Sequence, residues 1–141
     1  MQHLKIKNGY VVKLDTNEEI IATLKDFVID KKIKSAFLQG IGTGKELTLG
    51  YYDSKKKMYH KRVFIDECEF ASLNGNISYL STDPIIHIHC IISPENFVSY
   101  SGHLFSAKVA VTCEIIITLL DKKLIRKPDI RTGLNLLDLA R

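Results

Sequence analysis

The segment DPIIHIHCII, residues 83–92, is the most hydrophobic run in the middle of the chain, and it carries two histidines. Its isoleucines are β-branched, so the run predicts a buried β-strand. Side chains two positions apart on a strand point to the same face. His87 and His89 therefore share one face, whereas Ile88 and Cys90 point to the other face, which we expect to be the core.

A third histidine, His103, follows in the segment SGHL at residues 101–104. Three imidazoles suit zinc or another divalent transition metal, and they leave a fourth position for water or a substrate atom. Water bound to such a metal can act as a nucleophile near neutral pH. We predict a metal site formed by His87, His89 and His103, from which Cys90 is excluded by its opposite orientation. The alternative is a pair of surface histidines without a metal.

The ring nitrogens that do not bind the metal need hydrogen-bond acceptors. Glu114, on the polar face of a strand predicted at residues 108–120, is the first candidate for this role or for proton transfer. Glu69 is the second candidate. His3 and His60 lie in polar stretches that we expect to be exposed, so they are left out of the site.

The length and composition fit one soluble domain spanning residues 1–141, with 45% hydrophobic and 26% charged residues. No apolar run reaches about 18 residues and no signal peptide is evident, so we expect a cytoplasmic protein without a membrane partner.

The three cysteines are widely spaced, which argues against a disulfide framework. A net charge of +4 is mild for a dedicated nucleic-acid binder. Small groups of lysines indicate solvated strand edges or, alternatively, a phosphate-binding face.

The N-terminal part of the chain predicts two strands and the main helix. Asn8-Gly9 lies between two strand-like runs and indicates a hairpin, or else a bulge in one long strand. Thr16 and Glu19 have the spacing of a capping box. Apolar residues then recur at helical spacing, so we predict a helix at about residues 17–32.

A glycine-rich segment, GIGTG at residues 40–44, follows a predicted strand at 33–39. A phosphate-binding loop requires a helix directly after the glycines. Residues 47–52 are strand-like instead. We interpret these glycines as sites of a bulge or of close backbone approach.

The rest of the chain predicts further antiparallel strands. A hairpin with a lysine-rich tip spans residues 51–65, and Asn74-Gly75 is predicted to form a turn. Residues 93–107 are predicted to be irregular. The tail at 122–141 carries leucines that we expect to dock on the body or on a neighbouring subunit. The predicted fold class is α+β, with a mostly antiparallel sheet and one main helix.

Four segments occur in a characteristic order: EFASLNGN at 69–76, HIH at 87–89, GHL at 102–104 and VTCEI at 111–115. Together they resemble the PPC (plants-and-prokaryotes conserved) domain over about residues 5–125. The resemblance implies a sandwich-like fold that assembles as a homotrimer. It also implies that His87, His89 and His103 bind a metal, usually zinc.

In plants this domain accompanies AT-hook DNA-binding motifs, whereas in prokaryotes it stands alone. The Gly-Arg-Pro core of the hook is absent here, so its minor-groove reading does not transfer. We expect a metal-binding trimer with a DNA-associated or regulatory role. The alternative is a metal-dependent hydrolase or lyase that binds a small substrate at the metal. A third possibility is a metal that only stabilises the trimer.

Overall fold

The computed structural model describes residues 1–140. Within them lie one α-helix and nine β-strands that form one sheet. The elements are β1 (Gln2–Ile6), β2 (Gly9–Asp15), α1 (Ile20–Asp30), β3 (Ala36–Asp53), β4 (Met58–Phe64), β5 (Cys68–Leu80), β6 (Asp83–Ser93), β7 (Tyr100–Leu119), β8 (Ile125–Asp129) and β9 (Leu134–Asp138). Each strand pairing is antiparallel except the short contact of β5 with β8. The mostly antiparallel sheet and the single main helix agree with the predicted α+β class.

The sheet closes on itself around four strands. β3 pairs with β5, β5 with β6 and β6 with β7, and β7 pairs back with β3. The resemblance implies a sandwich-like domain, and the described strands form one sheet that closes in this way. As a result, β6 has hydrogen-bonded neighbours on both sides.

The core lies between α1 and the inner face of the closed sheet. The helix contacts β6 and β7 and buries Ile20, Leu24, Phe27 and Val28. On β6, the buried positions are Ile86, Ile88, Cys90 and Ile92. Each fully buried isoleucine contributes roughly 1.5–3 kcal/mol. The predicted division of β6 is confirmed, because His87 is partly exposed and His89 is exposed on the other face.

The start of the helix differs from the prediction. Glu19 itself is the N-cap, and its carboxylate accepts a hydrogen bond of 2.6 Å from the backbone N–H of Ala22. Thr16 instead donates its hydroxyl to the carbonyl of Val111 at 3.0 Å. The helix therefore begins at Ile20, because the threonine ties the preceding loop to β7.

The turn predicted at Asn74-Gly75 is wrong, because both residues lie inside β5. Gly75 is paired with Ile88 on β6. A Cβ atom on Gly75 would lie 2.1 Å from the backbone carbonyl oxygen of His87. The glycine thus permits close approach of two strands rather than a reversal of the chain.

The irregular segment predicted at 93–107 is also wrong beyond its first residues. Strand β7 already begins at Tyr100 and runs past Gly102 and His103. A Cβ atom on Gly102 would lie 2.8 Å from the carbonyl oxygen of Gly50. Here again a glycine that resembles a loop signal serves the packing of adjacent strands.

Other local predictions are confirmed. β1 and β2 form a hairpin, and the glycines at 40–44 lie within β3, where the register shifts between Gly40 and Gly42. β3 and β4 form the hairpin with the lysine-rich tip. Residues of the tail form a further small hairpin, β8–β9, whose Ile125 pairs with Tyr79 of β5. Within the described chain, no helix has the length and apolarity needed to cross a membrane.

Candidate metal centre

The pairing of β6 with β7 brings the three histidines together. His89 lies directly opposite His103. Residues opposed in this way project their side chains to the same side of a sheet. His87 lies two positions before His89 on the same face. The three ring centroids are 5.1–5.4 Å apart, and one nitrogen from each ring lies within 4.8 Å of the others.

Two of these imidazoles are held in the neutral form. Burial, the positive charge of Arg126 and the other two histidines together lower the pKa of His87 to about 4. Burial likewise lowers the pKa of His103 to about 4, with additional contributions from His89, Arg126 and Lys61. Neutral imidazole is the form that binds a metal, so these histidines are ready to act as ligands near pH 7.

The residues present fit a divalent transition metal. The Nδ1 atom of His103 is buried and has no hydrogen-bond partner among the described residues. A buried nitrogen without a partner costs about 1–3 kcal/mol, and a cation at this cluster would offset that cost. Cys90 lies on the opposite face of β6, and burial raises its pKa to about 12, so its thiol stays protonated. The donor set is therefore three imidazoles, which suits zinc.

The side chain that meets the ring of His87 is an arginine from the C-terminal hairpin. Nη2 of Arg126 lies 3.0 Å from Nδ1 of His87. An arginine can only donate, so Nδ1 must accept. Arg126 also donates from Nε to Ser78 at 2.8 Å, from Nη1 to the carbonyl of Asn135 at 2.9 Å and from Nη2 to Asn76 at 3.1 Å. The neighbour of His87 is thus a donor rather than the expected acceptor.

The two predicted carboxylates lie away from the histidines. Glu114 is exposed and lies opposite Ile41, about 11 residues beyond His103 on β7, which corresponds to roughly 35 Å of extended strand. Glu69 is exposed on β5 opposite Ser93. Neither forms a hydrogen bond with a histidine in the described part of the chain. A supporting role for Glu114 or Glu69 therefore stays a prediction, and the described contacts of the histidines do not include these carboxylates.

Aromatic side chains form one wall of the centre, and its other side is open. The rings of Tyr59 and Phe105 lie 5.4 Å and 4.7 Å from the ring of His103. A cavity of about 220 Å³ lies beside the exposed His89 and is lined in part by Asn74 and Ser101. A small ligand could therefore approach the cluster from the side of His89.

Sequence reasoning found the three histidines but not Arg126, Tyr59 or Phe105. Arg126 is one of several basic residues in the tail, and no periodic pattern separates it from solvated lysines. Tyr59 and Phe105 lie in β4 and β7, but the sequence does not show which other strands pair with these two. Their place in the centre depends on strand pairing between distant segments.

The profile of the Plants and Prokaryotes Conserved (PCC) domain matches residues 1–121 of the chain. A candidate DNA-binding protein from Bacteroides thetaiotaomicron is 31% identical, with a TM-score of 0.95 and coverage of 99% of this chain and 98% of that chain. A metal-containing protein from Archaeoglobus fulgidus is 32% identical, with a TM-score of 0.85 and coverage of 94% of both. A plant- and prokaryote-conserved protein from Pyrococcus horikoshii is 29% identical, with a TM-score of 0.88 and coverage of 99% and 96%. No curated protein matches the chain.

Proposed function

The chain belongs to the Plants and Prokaryotes Conserved (PCC) domain family, and on this premise we propose that it binds zinc or another divalent transition metal through His87, His89 and His103. The observation that carries the proposal is the convergence of one nitrogen from each ring within 4.8 Å of the others. The lowered pKa values of His87 and His103 give further support. A metal-containing protein of the same fold in Archaeoglobus fulgidus is consistent with it.

A metal held by these histidines would act as a Lewis acid toward a group bound beside it. The chain's own residues would set the conditions for that binding. β6 and β7 fix the imidazoles, and the rings of Tyr59 and Phe105 limit access of water from one side. The exposed His89 leaves the other side accessible.

Elemental analysis of the purified protein tests the metal site. We expect about one metal ion per chain in the wild type and a loss of metal in His87→Ala, because each ligand is needed for tight binding. His60→Ala is the matched control, since His60 lies at the β3–β4 hairpin next to Asp53. A wild-type protein that holds no metal, even after reloading with zinc, would exclude the proposed site.

We further propose that the chain acts as a homotrimer. The described surface carries large apolar side chains, including Phe97, Tyr51 and Val111, which are 86%, 73% and 63% exposed. Phe97 and Val111 line one shared depression, and contiguous apolar surface of this kind is typical of faces that bind another chain. Light scattering should give a mass three times the 16.0 kDa of one chain. The mass of a single chain would contradict the trimer.

The proposed biological role is DNA-associated or regulatory. It is supported by the candidate DNA-binding protein of the same fold and by a net charge of +4 on each chain, which a trimer would repeat three times. Binding to random duplex DNA should weaken steeply as salt is raised, because phosphate contacts release counterions. Absence of binding at low salt would remove this role.

A second candidate function is a metal-dependent hydrolase or lyase. The observation that favours it is the cavity of about 220 Å³ beside the exposed His89, which has room for a small molecule. The metal-loaded protein can be assayed with ester, phosphoester and lactone substrates. Turnover that is unchanged in His89→Ala would exclude a reaction at this centre.

The cytoplasm is the proposed location. The three cysteines, Cys68, Cys90 and Cys113, are all free thiols and all buried. Free thiols are usual in reducing compartments. Cell fractionation would test this location directly.

A further inference from the structure

Arg126 carries a buried positive charge that has no carboxylate partner. Its side chain belongs to a residue that is only 9% exposed. Its described hydrogen bonds go to neutral groups: a hydroxyl, an amide oxygen, a backbone carbonyl and the imidazole of His87. Among the described residues, no aspartate or glutamate forms an ion pair with it. A buried charge is costly unless an opposite charge compensates it.

The hydrogen bond between Arg126 and His87 cannot persist when His87 is a metal ligand. A neutral imidazole carries one proton, on either Nδ1 or Nε2. If a metal takes the lone pair of Nε2, the proton must lie on Nδ1, and two donors then face each other. If the metal takes Nδ1 itself, Arg126 loses its acceptor. In both cases an Nη2 hydrogen atom of Arg126 is released beside a cationic centre.

We propose that Arg126 and the histidine centre together bind a small anion through a carboxylate or phosphate oxygen. The proposal names the ligand class of the metal site and rests on the proposed function. A guanidinium donates in a planar fork that matches these oxygens, and a metal accepts the same oxygens as ligands. The anion would supply the negative charge that the described protein groups do not provide at Arg126.

The position of Arg126 favours a small molecule over a nucleic-acid backbone. The guanidinium is enclosed by Asn76, Ser78 and Asn135 beside the ring of His87. A duplex is too wide to reach a group buried in this way. Arg126 also lies beyond residues 1–121, so the proposed anion contact comes from the C-terminal hairpin rather than from the matched domain.

Calorimetric titration of the zinc-loaded protein tests the proposal, with inorganic phosphate and acetate as separate probes. We expect one of the two to bind the wild type, and the identity of that probe separates phosphate from carboxylate ligands. Arg126→Gln should weaken binding at least about tenfold, because a charge-assisted hydrogen bond contributes more than the 1.4 kcal/mol that a tenfold change requires. Arg131→Gln is the matched control, because this arginine lies in the turn of the β8–β9 hairpin and its side chain is 86% exposed.

A measurement on the wild type keeps the test valid if Arg126→Gln does not fold. The nitrogen resonance of the Arg126 Nε–H group should shift when phosphate or acetate is added to the zinc-loaded protein. Zinc-loaded protein that binds neither probe, or an Arg126→Gln variant that binds as well as the wild type, would overturn the anion site and leave the metal site standing. A wild type that takes up no zinc would overturn both proposals.

Discussion

Three neighbouring groups act on the ring of His87 in the same direction. The guanidinium of Arg126 donates to Nδ1 at 3.0 Å, and the rings of His89 and His103 lie 5.1 Å away. Each of these groups opposes a proton on His87, and so does its burial. The residue is therefore kept as a neutral base without help from a carboxylate.

The lowered pKa values predict a pH dependence for the metal-free protein. The unfolded chain takes up protons on its histidines near pH 6.5, whereas folded His87 and His103 do so only near pH 4. Stability should therefore fall as the pH is lowered from about 6.5 to about 4, by about 2 kcal/mol for each of these two histidines after allowance for their partial exposure. Urea unfolding of the chelated protein across this range measures the effect.

A shallower decline in His87→Gln would identify the residue responsible. A free energy of unfolding that stays constant from pH 6.5 to pH 4 would contradict the account of His87 and His103. In that case the imidazoles would be as accessible to protons in the folded chain as in the unfolded one.

For single residues, the sequence predicted the position of a side chain correctly where a short-range rule applied. The two-residue period of a strand placed His87 and His89 on one face, and the structure bears this out. No such rule connects Arg126 to His87, because these residues meet only after β8 has packed beside β5. Glu114 was chosen because it is polar and lies on the polar face of its strand. Whether it contacts the histidines depends on its position along β7, and the two-residue period of a strand does not predict that position.

At the scale of the elements, the pairing of β5 with β6 fixes the position of the strand that carries His87 and His89. Gly75 lies at the closest approach of these strands, where a Cβ atom would meet the carbonyl oxygen of His87 at 2.1 Å. The backbone of one strand would have to move to admit a side chain. A change at this position should therefore affect both stability and the position of His87.

Gly75→Ala should lower the free energy of unfolding by about 2–3 kcal/mol, a typical cost of overpacking against backbone. It should also weaken zinc binding, because β6 would shift relative to His103 on β7. Urea unfolding and a zinc competition titration measure the two effects.

Ala71→Gly serves as the control, since Ala71 is exposed on the same strand. It should cost less than about 1 kcal/mol, the usual penalty of glycine in a strand. Should Gly75→Ala prove as stable and as tight a zinc binder as the wild type, close packing at this glycine would not be what positions His87.

Glycine signals account for both wrong predictions of elements. Asn74-Gly75 and Ser101-Gly102 look like turn or loop segments in the sequence, yet both lie inside strands. Whether a glycine provides a turn or room for a neighbouring strand depends on what packs against it. Such a glycine can be assigned to a strand only when the strands that pair with it are known.

At the scale of the molecule, all three candidate ligands come from one chain and from two paired strands. A metal at this centre would therefore join β6 to β7 within one chain. Such a metal stabilises the folded chain by mass action, which does not depend on contacts between subunits.

Removing the metal with a chelator should lower the Tm by on the order of 10 °C, if the free metal had exceeded its Kd by about a hundredfold. The mass measured by light scattering should stay the same. Calorimetry and light scattering on the same sample check both expectations. A chelated protein that dissociates into single chains would instead favour a metal whose role is to stabilise the trimer.

X-ray absorption at the zinc edge of the zinc-loaded protein tests the central claim most directly, because it reports which atoms bind the metal. We predict three imidazole nitrogens at about 2.0–2.1 Å, one oxygen ligand and no sulfur. His87→Ala, which should lose the metal, should show no imidazole-bound zinc. A sulfur ligand near 2.3 Å, or a spectrum without imidazole scattering, would contradict a centre built from His87, His89 and His103.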